Sequence, residues 1–161
     1  MQIEDYVKAG KIAAEVREMV RVKDWVGKTV YEICEQVEGE IKKRGAKCAF
    51  PVNASINEIA AHYTAEPNDP ITIKDTDLVK IDLGAQINGY IADTAVTVCY
   101  DAQFDGLVHA AEEALSNAMT MAKTGVKVSD IGRTIEATIK QRGFKPIANL
   151  SGHSLEQYTI H

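Results

Sequence analysis

At 161 residues, 45% hydrophobic and 25% charged, the sequence has the size and balance of one ordinary soluble domain able to bury its own core. A formal net charge of −5 argues against nucleic acid or an anionic membrane as the main partner. No apolar run reaches the length of a membrane span, and MQIEDYVKAG lacks the basic start and apolar middle of a signal peptide, which points to the cytoplasm.

Ile3, Val7, Ile12, Val16, Met19 and Val20 recur at helical spacing and predict an amphipathic helix to about Lys23. Thr29 and Glu32 then make a capping box for a second helix, with Val30, Ile33, Val37 and Ile41 as its stripe and Gly45 as its stop. The stretch FPVNASINEIAAHYT follows from Phe50, and KIDLGAQINGYIADTAV from Lys80.

In this last stretch Asn88-Gly89 separates two alternating runs, the pattern of a type I′ hairpin. Counting back from the turn pairs Ile87 with Tyr90, Gly84 with Asp93 and Asp82 with Ala95. Both aspartates then share one face as diagonal neighbours, ~7–8 Å apart at the backbone, with Gly84 leaving the point between them unobstructed. Val79, Ile81, Leu83, Ala85 and Ile87, with Tyr90, Ala92, Thr94, Val96 and Val98, form the opposite, core face. Two readings of the aspartates stay open on the hairpin alone: a solvated face, or a site where a divalent cation relieves the repulsion of two like charges.

A third helix is predicted from Phe104 to Lys123, with Phe104, Leu107, Val108, Ala111, Leu115, Ala118 and Ala122 inward and His109 at the surface. The fourth has the stripe Val128, Ile131, Ile135 and Ile139 and ends at Gly143. GKTVYEICEQVEGEIKKRGAK from Gly27 aligns without a gap on GVKVSDIGRTIEATIKQRGFK from Gly125, 98 positions later and identical at nine of 21 positions. Duplication explains that match better than shared amphipathic composition does. It sets a first repeat at about 1–98 and a partial second at about 99–161 of one domain, since the second copy lacks a hairpin. On this pattern the chain reads as cut short.

Cys34, Cys48 and Cys99 are odd in number and lack CxxC spacing, so they read as packing residues. No GxSxG elbow, Walker loop or GxGxxG fingerprint is present.

The ordered set FPVN…AAHYT, KIDLG…GYIADTAVTV and LSGH…YTIH resembles the type 2 methionine aminopeptidases, particularly the archaeal kind that starts directly at the catalytic domain. The resemblance spans nearly the whole chain. It implies an α/β (α+β) pita-bread fold, of the creatinase and aminopeptidase kind, with an internal pseudo-twofold. A dinuclear site is also implied, with two Asp, one His and two Glu as ligands. Residue by residue, Asp82 and Asp93 match the aspartates and His153 the histidine; the glutamates belong to strands beyond the position of His161. Asp93 would bridge two divalent ions of cobalt, manganese, iron, zinc or nickel, and Asp82 would chelate one.

His62 and His161 match the two histidines such enzymes place beside the substrate, His62 at the scissile amide nitrogen and His161 at the carbonyl oxygen. Phe50 is expected to line the methionine pocket. The implied activity is removal of the initiator methionine from nascent chains, with this chain alone nearly inactive and prone to self-associate through an uncovered sheet. The alternatives are a non-catalytic pita-bread binding module and a prolidase-like peptidase.

Overall fold

The computed structural model describes residues 3–160. Two compact units form, one of Met1–Tyr100 with His153–His161 and one of Asp101–Gly152.

The first unit is a four-stranded antiparallel sheet covered by two helices. Helix α1 (Ile3–Val22) buries Ala9, Ile12, Ala13, Val16 and Val20. Ile3 and Val7, expected in the stripe, are 67% and 58% exposed. At ~100° per residue Val7 falls on the far side of the helix from Ala9, Ala13 and Val16, so the buried face runs through alanines instead.

Helix α2 (Val30–Lys43) starts from the expected capping box: the Glu32 amide donates to Thr29 Oγ1 at 3.1 Å and the Thr29 amide to Glu32 Oε2 at 2.8 Å. Val30, Ile33, Val37 and Ile41 are all fully buried. Between the helices Trp25 is fully buried, its ring nitrogen donating to the Val20 carbonyl and its amide accepted by the Tyr100 hydroxyl.

The sheet is built on β3 (Leu78–Ile87), which pairs along one side with β4 (Tyr90–Cys99) and along the other with β1 (Lys47–Cys48) and β2 (Asn53–Ile56). The hairpin register is the predicted one, with Ile87 opposite Tyr90, Gly84 opposite Asp93 and Asp82 opposite Ala95. Asn88 and Gly89 have φ of 50° and 85°, the left-handed pair a type I′ turn requires. Val79, Ile81, Leu83 and Ala85 are fully buried on the helix side.

In the second unit α3 (Asp105–Met121), entered through a short 3₁₀ turn at Ala102–Phe104, packs on α4 (Val128–Gln141). The face of α3 differs from expectation. Ala110, Ala114 and Ala118 are buried, whereas Leu107 and Leu115 are 41% and 57% exposed and Ala111 and Ala122 are exposed as well. Small side chains at i, i+4 and i+8 let the helices approach closely. Polar pairs at the edge of this seam fix the rotation: Asn117 Nδ2 donates to Thr138 Oγ1 at 3.1 Å and Arg142 Nε to Glu113 Oε2 at 2.6 Å.

The two segments related by 98 positions share their local geometry. Each helix ends in an arginine cap with φ −83°, followed by a glycine at φ 84°. Each carries the same Glu-to-Lys pair one turn apart, Glu38 with Lys42 and Glu136 with Lys140. Burial is where they part, because Val128 on α4 is 76% exposed while its counterpart Val30 is fully buried.

Cys34 is buried and Cys48 and Cys99 half-buried, and burial raises the thiol pKa of Cys34 and Cys48. His109 is exposed, as expected. Among the described residues no helix is long and apolar enough to cross a membrane.

Two substitutions in α2 separate capping from packing. Thr29→Ala should cost about 1 kcal/mol through loss of the cap, while Ile33→Ala should cost about 2–5 kcal/mol through the cavity it leaves. Urea unfolding of both variants with the m-value compared checks the difference.

Candidate metal centre

One cavity of about 260 Å³ in the first unit gathers Phe50, Asn53, His62, Asp82, Asp93, His153 and Ile160. The aspartates come from the rigid hairpin, on the face opposite the core, as the register dictates. Asn53 stands opposite Asp82 across the β2–β3 pairing. His62 comes from the loop after β2 with φ of 66°, left-handed for a side chain that rarely adopts it. His153 and Ile160 come from the segment after residue 152.

The loop that presents His62 is braced by two buried carboxylates. Asp77 accepts from Asn57 Nδ2 and from the Lys74 amide, and the Leu78 amide donates to Asn57 Oδ1. Asp69 accepts from the Tyr63 hydroxyl at 2.6 Å and from the Ile71 amide. On the next residue after His62, the Tyr63 amide donates to the buried Ser55 hydroxyl and its carbonyl accepts from Ala54. Such bonds remove the freedom a loop would otherwise have.

Asp82 and Asp93 face each other. Burial, reinforced by the charge of Asp93 and a hydrogen bond between the two carboxyls, pushes the Asp82 carboxyl up to about 6, against the opposing pull of His62 and His153. His153 Nε2 lies 3.5 Å from Asp93 Oδ2, and the Asp93 side chain is 24% exposed.

Two hard oxygen donors and an imidazole around one cavity are the donor chemistry of a divalent transition-metal site. By type and by face the residues fit such an ion. Their spacing is open: among the described residues no group of three or more His, Cys, Asp or Glu side chains is arranged to hold a metal.

The expected open point at Gly84 is filled. A Cβ there would lie 2.3 Å from the Phe50 ring and 2.9 Å from the Ala49 side chain, so the missing side chain is the seat of Phe50. Phe50, His62, Asp82, Asp93 and His153 are thus all at the cavity, and His161 lies outside the described residues. Asn53 and Ile160 were not singled out from the sequence. Asn53 had a signal, since it sits in the FPVN stretch at strand spacing; Ile160 had none beyond its place within YTIH.

The chain is similar to known metallopeptidases along its length. The family model for metallopeptidase family M24 matches residues 4–161. The methionine aminopeptidase of Pyrococcus abyssi is 50% identical over 161 residues, covering all of this chain and 55% of the relative. That of Methanothermus fervidus is 42% identical, with 99% of this chain and 92% of the relative covered. Among solved structures, the methionine aminopeptidase of Thermotoga maritima superposes with a TM-score of 0.87 at 31% identity, over 96% of this chain and 66% of that one. The chain spans about half the length of the Pyrococcus relative it matches. With the match running from residue 4 to residue 161, the chain belongs to metallopeptidase family M24 and has the pita-bread fold of its peptidases.

Proposed function

We propose that this chain carries the hairpin half of a metal-dependent methionine aminopeptidase, which removes the initiator methionine from nascent chains in the cytoplasm. The observation that carries the reading is the shared cavity, where two facing carboxylates, two imidazoles and an aromatic ring meet. The acidic balance of the chain fits a peptide substrate better than a nucleic acid. The relatives named above support the substrate class, and the repeat at 1–98 and 99–161 supports one duplicated domain.

Asp82, Asp93 and His153 would hold the divalent metal, two ions in the full ligand set, with glutamates that have no counterpart in this sequence. When bound, the metal supplies Lewis acidity toward the substrate carbonyl and lowers the pKa of water. Cobalt, manganese, iron, zinc and nickel all suit mixed carboxylate and imidazole donors. The second ring nitrogen of His153, Nδ1, lies 3.1 Å from the Ser154 carbonyl, which would favour the form protonated at Nδ1.

His62, in the cavity but on a braced loop, would donate to the scissile amide nitrogen as the amine leaves. His161 would donate to the carbonyl oxygen, a role that rests on the sequence resemblance. Phe50, seated on Gly84, would pack against the methionine side chain. The outer edge of β4 pairs with no strand among the described residues, which supports self-association through the sheet.

Metal binding and turnover separate the two kinds of residue. In the peptidase that contains this chain, Asp93→Asn should weaken cobalt binding by more than about 100-fold, beyond the loss typical of outer partners. His62→Ala should lower kcat by ~10²–10⁴-fold with cobalt affinity nearly unchanged. Calorimetric cobalt titration beside cleavage of a Met-Ala-Ser peptide measures both; a His62→Ala chain that no longer binds cobalt would make His62 a ligand.

Gly84→Ala tests the pocket. The added methyl meets the Phe50 ring and should cost about 1–3 kcal/mol as overpacking, with KM for Met-Ala-Ser raised more than kcat is lowered. Unfolding and steady-state kinetics on the same preparation give the two numbers.

A further inference from the structure

The turn of the β3–β4 hairpin does more than reverse the chain. Residues 156–159 make a miniature turn of their own, closed by Glu156 N–H to Thr159 O at 2.9 Å and Thr159 N–H to Glu156 O at 3.1 Å. Its tip rests on the tip of the hairpin. The Tyr158 amide donates to the Gly89 carbonyl at 2.8 Å, and Gln157 Nε2 donates to the Asn88 carbonyl at 2.9 Å. Tyr158 holds a φ of 62°, a left-handed value for an aromatic residue that these bonds must sustain.

Above Gly89 lies the Tyr158 ring. A Cβ at Gly89 would meet ring atoms Cδ2 and Cε2 at 2.5 Å and Cγ at 2.7 Å. The glycine therefore answers two demands: the positive φ of the turn, which asparagine also tolerates, and a flat seat for the ring, which only glycine provides.

We infer that Gly89 and Tyr158 are positioning residues that dock segment 153–160 on the hairpin and so set where His153 meets Asp93. The geometry of the tether supports this. From Gly89 to Asp93 the strand covers four residues, ~14 Å at about 3.4 Å each. Five residues from Tyr158 back to His153 reach at most ~17 Å. A docked Tyr158 therefore keeps the His153 imidazole within reach of the carboxylate, where Nε2 lies 3.5 Å from Asp93 Oδ2. An undocked one loses both bonds that the 156–159 turn makes to the hairpin tip. The peptidase reading enters only through the use made of His153.

The test needs neither metal nor substrate, so its failure is distinct from failure of that reading. Hydrogen exchange of the Tyr158 and Glu156 amides, and the ring carbon–proton resonance of His153 at one fixed pH, are compared in the intact protein and three variants. In Tyr158→Ala and in Gly89→Asn, which keeps the left-handed turn but adds the Cβ, exchange should rise about tenfold or more. The His153 resonance should move toward that of a histidine in an unstructured peptide, while amides of the β3–β4 ladder in Tyr158→Ala stay protected. Tyr158→Phe should behave as the parent, because the ring and the amide remain. Unchanged exchange in both disruptive variants would overturn the dock. Fast exchange with an unmoved His153 resonance would overturn its positioning role, and loss of ladder protection in Tyr158→Ala would reduce the ring to a general stabiliser.

Discussion

Ten residue pairs of the β3–β4 hairpin take their register from two left-handed residues, Asn88 and Gly89. Side chains in a strand alternate, so this one turn decides by parity that Asp82 and Asp93 leave on one face while Val79, Ile81, Leu83 and Ala85 leave on the other. A slip of one residue would exchange the two sets. It would push two carboxylates into the layer covered by the helices and bring four aliphatic side chains to the cavity. Burying unpaired charge costs far more than the turn itself contributes, so core and site enforce the same register from opposite sides of the sheet. Function and stability are not independent here.

Around that fixed pair the remaining groups arrive on segments of different stiffness. The loop with His62 is tied down by buried Asp69 and Asp77, whose carboxylates accept from backbone and side chains on both sides of it. His153 arrives on a segment whose 156–159 turn is bonded to the hairpin tip. The aspartates, by contrast, cannot move apart, since a ten-residue ladder holds their backbones. Burial, with the facing charge of Asp93, is expressed instead as the raised pKa of Asp82. A rigid carboxylate pair would suit a cation site, because the oxygen donors are fixed in place and the imidazole of His153 would complete the set.

What could be read from the residues alone followed from how local each signal was. The capping box at Thr29 and Glu32, the glycine stops and the Asn-Gly turn are contacts within a few positions, and all appear as expected. The aspartate face follows from parity, which is local too. The face of α3 was not legible, because two apolar stripes compete on it. One of leucines and one of alanines have the same period, and only the partner decides; α4 offers Thr138 and Arg142, which select the alanine side. Phe50 on Gly84 and Tyr158 on Gly89 join residues tens of positions apart, and nothing in the spacing announces them. The place of His153 came through motif resemblance rather than pattern, since a lone histidine in LSGH has no periodicity to place it.

The duplicated helices show how far a sequence determines burial at all. Val30 and Val128, Ile33 and Ile131, Ile41 and Ile139 are the same residues in the same local geometry, down to the arginine caps and the glycines that follow. In α2 every one of these side chains is fully buried, whereas in α4 the isoleucines are half-buried and the valine is exposed. Amphipathic pattern therefore states what a helix can cover, and the surface it is offered states how much it does. In the first unit that surface is composite: α2 packs against α1, β1, β2 and β3 together. In the second it is the narrow alanine seam of α3, which meets only one edge of α4. The sheet and α1 together thus do for α2 what α3 alone does not do for α4, and the same strand pair that presents the carboxylates contributes to the hydrophobic layer behind them.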